Sequence, residues 1–152
     1  MDGGSPMEDG QLRAVQAAVA IQSLAGRLAH LADDGELADY LELYTDDAVW
    51  EFPGNPLVGA EPETRRGRDD IGAGVVQRRR AGLQGPGSAT RHVIHTIEVD
   101  VIASDEAVAV LYWMFYADTT KEPRLTSMGR YDDVYRKVST GWKLAHRRIT
   151  VG

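Results

Sequence analysis

The sequence predicts an α+β domain: three N-terminal helices packed in a strongly curved, mostly antiparallel sheet that forms a cone with an internal pocket. Three observations carry the prediction. Gln11 to Ala32 is rich in Ala and Leu and free of proline, which favours helix. From Thr90 onward the chain turns to Val, Ile, Tyr, Trp and Thr in four segments. The connections between those segments are mostly short, which implies antiparallel hairpins. Helices first and a meander afterwards is an α+β order.

The first helix places Ile21, Leu24, Leu28 and Leu31 on one apolar stripe and Gln22, Gly26 and Ala29 on a second face. Gly35, beside Asp33 and Asp34, ends it. A second helix is expected from Glu36 to Tyr44, with Leu37, Tyr40, Leu41 and Tyr44 turned inward. Thr45–Asp47 reads as a turn and Ala48–Phe52 as a strand. Pro53–Gly67, rich in proline and glycine, reads as loop. Asp69 or Asp70 caps a third helix that ends near Arg80, and Ala81–Ala89 is a glycine-rich loop. The four β segments are Thr90–Ile102, Glu106–Ala117, Ser127–Val138 and Trp142–Val151. Strands this long do not stay flat. They curl, and a wide cone leaves a cavity at its mouth.

The 152 residues suit one domain, expected over residues 11–152 behind a disordered tail at residues 1–10. The tail lacks the basic and apolar regions of a signal peptide. A net charge of −6 argues against nucleic acid and anionic membranes as partners. No apolar stretch approaches the roughly 20 residues of a membrane span. Cysteine is absent, which fits a reducing compartment and a cytoplasmic location. No metal-ligand spacing or nucleotide-binding glycine pattern is present, so neither a metal nor a cofactor is expected.

Three pieces of sequence belong together: Leu-Ala-Asp-Asp-Gly-Glu (31–36) leading to Tyr-Thr-Asp-Asp-Ala-Val-Trp (44–50); Thr-Arg-His-Val-Ile-His (90–95); and Gly-Arg-Tyr-Asp-Asp (129–133) followed by Gly-Trp-Lys-Leu (141–144). In them the chain resembles the SnoaL-like branch of the nuclear transport factor 2-like superfamily, over Gln11 to Val151. Its relatives include scytalone dehydratase, bile-acid dehydratase and polyketide cyclases. The resemblance implies the cone fold and an Asp–His pair facing each other in the pocket, matched here by Asp33 and His92. It also implies a cofactor-independent lyase or isomerase acting on a small, largely apolar cyclic molecule. The same fold serves non-catalytic binding or assembly modules, including small subunits of ring dioxygenases, and that alternative stays open. Scytalone dehydratase has a tyrosine just before its Asp and another on a strand. Here Ala32 and Phe52 stand in those places, so the chain is not expected to be that enzyme.

An Asp–His pair is an acid/base device, because the carboxylate orients the imidazole and fixes its tautomer. Substrate-binding positions are expected at Phe52, Trp113, Tyr131, His146 and Arg148. His146 and Arg148 enter because strict alternation groups them with Trp142 and Leu144. Alternation along the second long strand sets Trp113 and Phe115 against Tyr112, Met114 and Tyr116. Both faces are too apolar for water, so the uncovered one is expected to pair with a second copy in a homodimer. His95 and His30 are expected at the surface.

Overall fold

The structure, a computed structural model, describes residues 6–152. Its elements run α1 (Pro6–Asp34), α2 (Leu37–Leu41), β1 (Tyr44–Phe52), a 3₁₀ turn (Pro56–Val58), β2 (Glu63–Arg66), α3 (Arg68–Arg80), β3 (Arg91–Val101), β4 (Glu106–Ala117), β5 (Arg124–Val138) and β6 (Gly141–Val151). One six-stranded sheet has the order β2-β1-β6-β5-β4-β3. Only the β1–β6 pairing is parallel. The α+β architecture, with N-terminal helices packed on a curved sheet, is as expected.

Helix α1 begins earlier than composition suggested. Pro6–Gly10, expected in a disordered tail, are its first turns, since proline suits the first helical position and acidic Glu8 and Asp9 suit the N-terminal dipole. The rest of the expected tail lies outside the described residues. Ile21, Leu24 and Leu28 are buried, as are Ala25, Ala29 and Ala32. Those small alanines let α1 lie close against the sheet, whereas Gln22 of the expected second face is exposed.

Further segments differ from expectation: α3 has Gly67 at its N-cap, with Asp69 and Asp70 in the first turn, and β5 begins at Arg124. The second helix is short, and Tyr44 already belongs to β1. Thr45–Asp47 is not a free turn. It lies inside β1, where the register against β6 slips between Tyr44 and Val49. Within the expected loop, Glu63–Arg66 pairs antiparallel with β1 as an edge strand. Its charged side chains and lack of alternating apolar residues hid it, and those are the features that edge strands carry.

The core lies between α1, α2, α3 and the concave sheet face, and it includes Tyr40, Tyr44, Ile71, Val75, Leu111, Tyr135 and Leu144. Besides the slip between β1 and β6, three irregularities shape the sheet. In β3 the register shifts between His95 and Glu98, with Thr96 at φ +53°. In β6 it shifts between Leu144 and His146, leaving Ala145 as the extra residue. A third lies between Phe115 and Tyr116. Each extra residue bends its strand and reverses which side chains face inward.

A candidate acid/base site in the cone

Asp33 sits in the last turn of α1 and is 2% exposed. A carboxylate there opposes the helix dipole, at a cost of about 0.3–1 kcal/mol. The offset is visible. Asp33 Oδ2 accepts the backbone N–H of His92 at 2.9 Å, and Oδ1 lies 2.7 Å from His92 Nδ1. One carboxylate therefore grips both the main chain and the ring of a single residue. With Nδ1–H donating to Asp33, Nε2 keeps its lone pair. His92 lines a cavity of about 800 Å³, while Asp33 stands behind it. The ring packs on Phe115, with centroids 4.6 Å apart.

The cavity is walled by Ala25, Leu28, Ala29 and Ala32 of α1 and by Trp50, Phe52, Ile94, Trp113, Phe115 and Ile149 of the sheet. Phe52, Trp113 and Tyr131, singled out from sequence, all line it. Trp113 stacks on Tyr131 at 5.7 Å. At the rim Arg78 lies over the Trp50 ring, 4.7 Å from its centroid, and Arg65 is held by Glu63, Asp70 and Gln77.

His146 and Arg148 do not line the cavity. They meet Glu51, with Nε2 of His146 at 2.7 Å and Nε of Arg148 at 3.3 Å from its Oε2. The extra residue at Ala145 is the cause. Before it Leu144 faces inward; after it the inward residues are Arg147 and Ile149. Strict alternation therefore selects the wrong side chains on this strand. The arginine of β6 that lines the cavity is Arg147, which sequence reading missed. A run of His-Arg-Arg after Leu-Ala offers no signal of which one turns in.

Arg147 is 6% exposed. Its Nε and Nη2 donate to Asp133 at 2.9 and 2.6 Å, and its guanidinium lies 3.9 Å from the Tyr131 ring centroid. Tyr135 also donates to Asp133, at 2.8 Å. Burial works against the Arg147 charge, but the adjoining Asp133 carboxylate prevails and holds its pKa well above the usual arginine value. Burial drives the phenol of Tyr131 upward, so it stays protonated at neutral pH. Tyr40, also on the cavity wall, shares a hydrogen bond with the fully buried Tyr44. Among the described residues, no three His, Cys, Asp or Glu side chains converge to hold a metal ion.

A curved sheet closed by helices, with a buried Asp behind a half-buried His on a largely apolar cavity, defines a cone-shaped pocket protein of the α+β class. The chain belongs to the SnoaL-like domain family, which it matches over residues 13–148. No curated protein matches it in sequence. Among solved structures it is similar to an NTF2-like protein with a cystatin-like fold from Novosphingobium aromaticivorans, with TM-score 0.81 and 22% identity over 99% of this chain and 91% of that one. It is also similar to a candidate scytalone dehydratase from the same organism, with TM-score 0.68 and 20% identity over 88% of this chain and 82% of that one. A third is the beta subunit of a candidate aromatic-ring-hydroxylating dioxygenase, again from that organism, with TM-score 0.70 and 19% identity over 89% and 88%. At these identities the likeness speaks for the fold.

Proposed function

We propose that the protein is a cofactor-independent lyase or isomerase acting on a small, largely apolar cyclic molecule. His92 is the general base and acid, and Asp33 is its orienter. The observation that carries this reading is the Asp33 clasp on His92, whose ring lines the cavity; in the neutral tautomer with Nδ1–H donating to Asp33, Nε2 is the free acceptor. A neutral imidazole there takes a proton from carbon beside a carbonyl. It then returns the proton to a leaving hydroxyl, giving dehydration, or to another carbon, giving isomerisation. Phe52, Trp113 and Tyr131 bind the ring. The reading includes a second copy bound at the outer sheet face, and a cytoplasmic setting, where a chain without cysteine meets no redox demand.

The test is proton exchange. Cyclic hydroxy-ketones and enones are screened by thermal shift, and binders are incubated with protein in deuterated water. Wild type should exchange or convert the ligand. His92→Ala should slow this about 10²–10⁴-fold. Asp33→Asn should do nearly as much, and the double variant little more, because the two act as a unit. A ligand recovered unchanged and undeuterated from wild type would count against catalysis. The likeness to a dioxygenase beta subunit favours a second reading, a non-catalytic binding or assembly module. Equal ligand binding by wild type, His92→Ala and Asp33→Asn, with no exchange, would select it.

A further inference from the structure

We propose that Arg78 is a specificity-determining residue that holds a carboxylate at the end of the substrate remote from the ring on which His92 acts. The proposal rests on the acid/base reading of His92 and narrows the substrate class to a cyclic ketone or enone that carries an acidic arm.

Arg78 stands near the C-terminal end of α3 and lines the cavity. Its guanidinium lies over the Trp50 ring, 4.7 Å from the centroid, and its side chain is 22% exposed. Nη1 is enclosed and has no hydrogen-bond partner among the described residues. The carboxylate at hand is Glu63, but its Oε2 is 3.7 Å from Nη1, beyond hydrogen-bond range. Glu63 Oε1 serves Arg65, whose two Nη groups donate to Asp70 and Gln77. Arg65 is thus filled by three partners, whereas Arg78 has an aromatic face and a distant charge. A half-buried guanidinium with an unfilled N–H is prepared for an acceptor that the chain does not supply. Stacking on Trp50 sets the plane of the fork and leaves its edge for a planar anion. Gly74 keeps the space open. A Cβ there would stand 3.2 Å from Arg78 Nη1, 3.1 Å from Arg65 Nε and 3.3 Å from Glu63 Oε1. Helix polarity alone favours cations in the last turn of α3, where Arg79 and Arg80 also stand, but it does not call for a guanidinium laid over a cavity ring.

The position of Arg78 in the fold sets the shape of the ligand. Helix α1 packs on β3, which carries His92, and α3 packs on β1, which carries Trp50. Strands β6, β5 and β4 lie between β1 and β3. His92 and Arg78 therefore line the cavity from opposite sides, and at about 4.8 Å per strand a molecule that touches both is longer than one ring. Of the other charged groups on the lining, Arg147 is matched by Asp133, and Glu61 is exposed to water, where its charge is screened. Arg78 keeps the positive charge with the poorest partner. A carboxylate suits it, because two acceptor oxygens match the guanidinium fork and the opposite charge strengthens each bond. An ester or amide oxygen in the same place gains less. Anchored at Arg78, the apolar body of the substrate lies along the aromatic wall and its far ring is presented to His92, which is how a remote contact serves the reacting centre.

The probe is 4-(4-oxocyclohexyl)benzoate, compared with its methyl ester. Both carry the cyclic ketone, and the acid alone carries the charge. Binding is measured by calorimetry at neutral pH in wild type, Arg78→Gln, Arg78→Lys and Glu63→Gln, with circular dichroism checking each fold. Wild type should bind the acid roughly 10- to 100-fold more tightly than the ester, the scale of hydrogen bonds to a charged group. Arg78→Gln should abolish that preference and leave ester affinity unchanged. Arg78→Lys should keep part of it, since the charge stays while the planar fork is lost. Glu63→Gln should raise the preference about 2- to 5-fold, by removing a partly exposed carboxylate that competes for Arg78. Equal affinity for acid and ester in wild type would overturn the proposal. So would a preference that survives Arg78→Gln. Where Arg78→Gln does not fold, Glu63→Gln decides, because a preference that falls there means that Arg78 does not carry the anion. Retention of acid binding in His92→Ala separates this subsite from the base. Deuterium exchange at the ring carbons distinguishes the two readings. Exchange that needs His92 but runs with equal kcat/KM on acid and ester would remove the role of Arg78 and leave the acid/base reading standing. An acid preference that needs Arg78, with no exchange in wild type, would do the reverse.

Discussion

Glu51 illustrates how a residue outside the cavity carries pH dependence. It faces away from the core and binds His146 and Arg148, the two residues that alternation had assigned to the pocket. The hydrogen bond from His146, and then that from Arg148, lower its pKa below the ordinary value of 4.5. A depressed folded-state pKa means that the folded state holds fewer protons than the unfolded chain in this range. The stabilisation is therefore present above the unfolded value of about 4.3 and is lost as pH falls through the lower folded value. Its size is modest, because the group is partly exposed. Melting temperatures of wild type and Glu51→Gln should differ near neutral pH and converge in acid, as pH falls through the lowered Glu51 value. A gap that stays constant into acid would refute the assignment. Arg147 and Asp133 differ in kind. Their ion pair is buried, and breaking it strands a charge, whereas exposed pairs such as Arg136–Asp47 contribute little.

At the scale of elements, irregular positions decide more than regular ones. Arg79 of α3 donates to the carbonyls of Leu31 and Gly35, at 3.1 and 2.9 Å. It thereby satisfies the C-terminal end of α1, on whose last turn Asp33 sits. Gly129 of β5 pairs with Trp113 and Val151. A Cβ there would stand 1.8 Å from the Thr150 carbonyl oxygen and 3.0 Å from the Trp113 ring. The backbone oxygen cannot yield without parting β5 from β6. Gly129→Ala should therefore destabilise by more than about 3 kcal/mol, a size reserved for backbone clash or core disruption. Urea unfolding measures it, and a loss under about 1 kcal/mol would show that the strands part easily.

The outer face of β3, β4 and β5 exposes apolar side chains beside His95 and Arg130. Val93, Met114 and Met128 form one row across β3, β4 and β5, and His95, Tyr112 and Arg130 form the next. Val93, Tyr112 and Met128 are exposed to water. Exposed apolar side chains grouped in this way are a common feature of interaction surfaces. In the dimer proposal a second copy covers it through an isologous contact. Sedimentation at micromolar concentration should show a dimer for wild type and a folded monomer for Met128→Lys, because a lysine at a self-paired face buries two charges. A wild-type monomer would remove the proposal.

Local information was enough to read much of this protein in advance. Helix α1 and the four long strands are carried by composition, periodicity and short connections, which act over a few residues. Asp33 and His92 were named together through the family motifs, and alternation around Trp113 and Phe115 holds because β4 runs regularly through that stretch. Other features depend on partners far along the chain. Whether His146 or Arg147 faces inward hangs on one extra residue at Ala145, and that residue exists only relative to the register of β5. Strand β2 is a strand only because β1 offers it an edge. Tyr40 and Tyr44 share a hydrogen bond only because α2 stops early and β1 carries Tyr44 into the core. Sequence determined the long helix, the four long strands and the chemistry available; tertiary structure decided the edge strand and which side chains meet, because strand pairing, register and bulges are properties of pairs of segments.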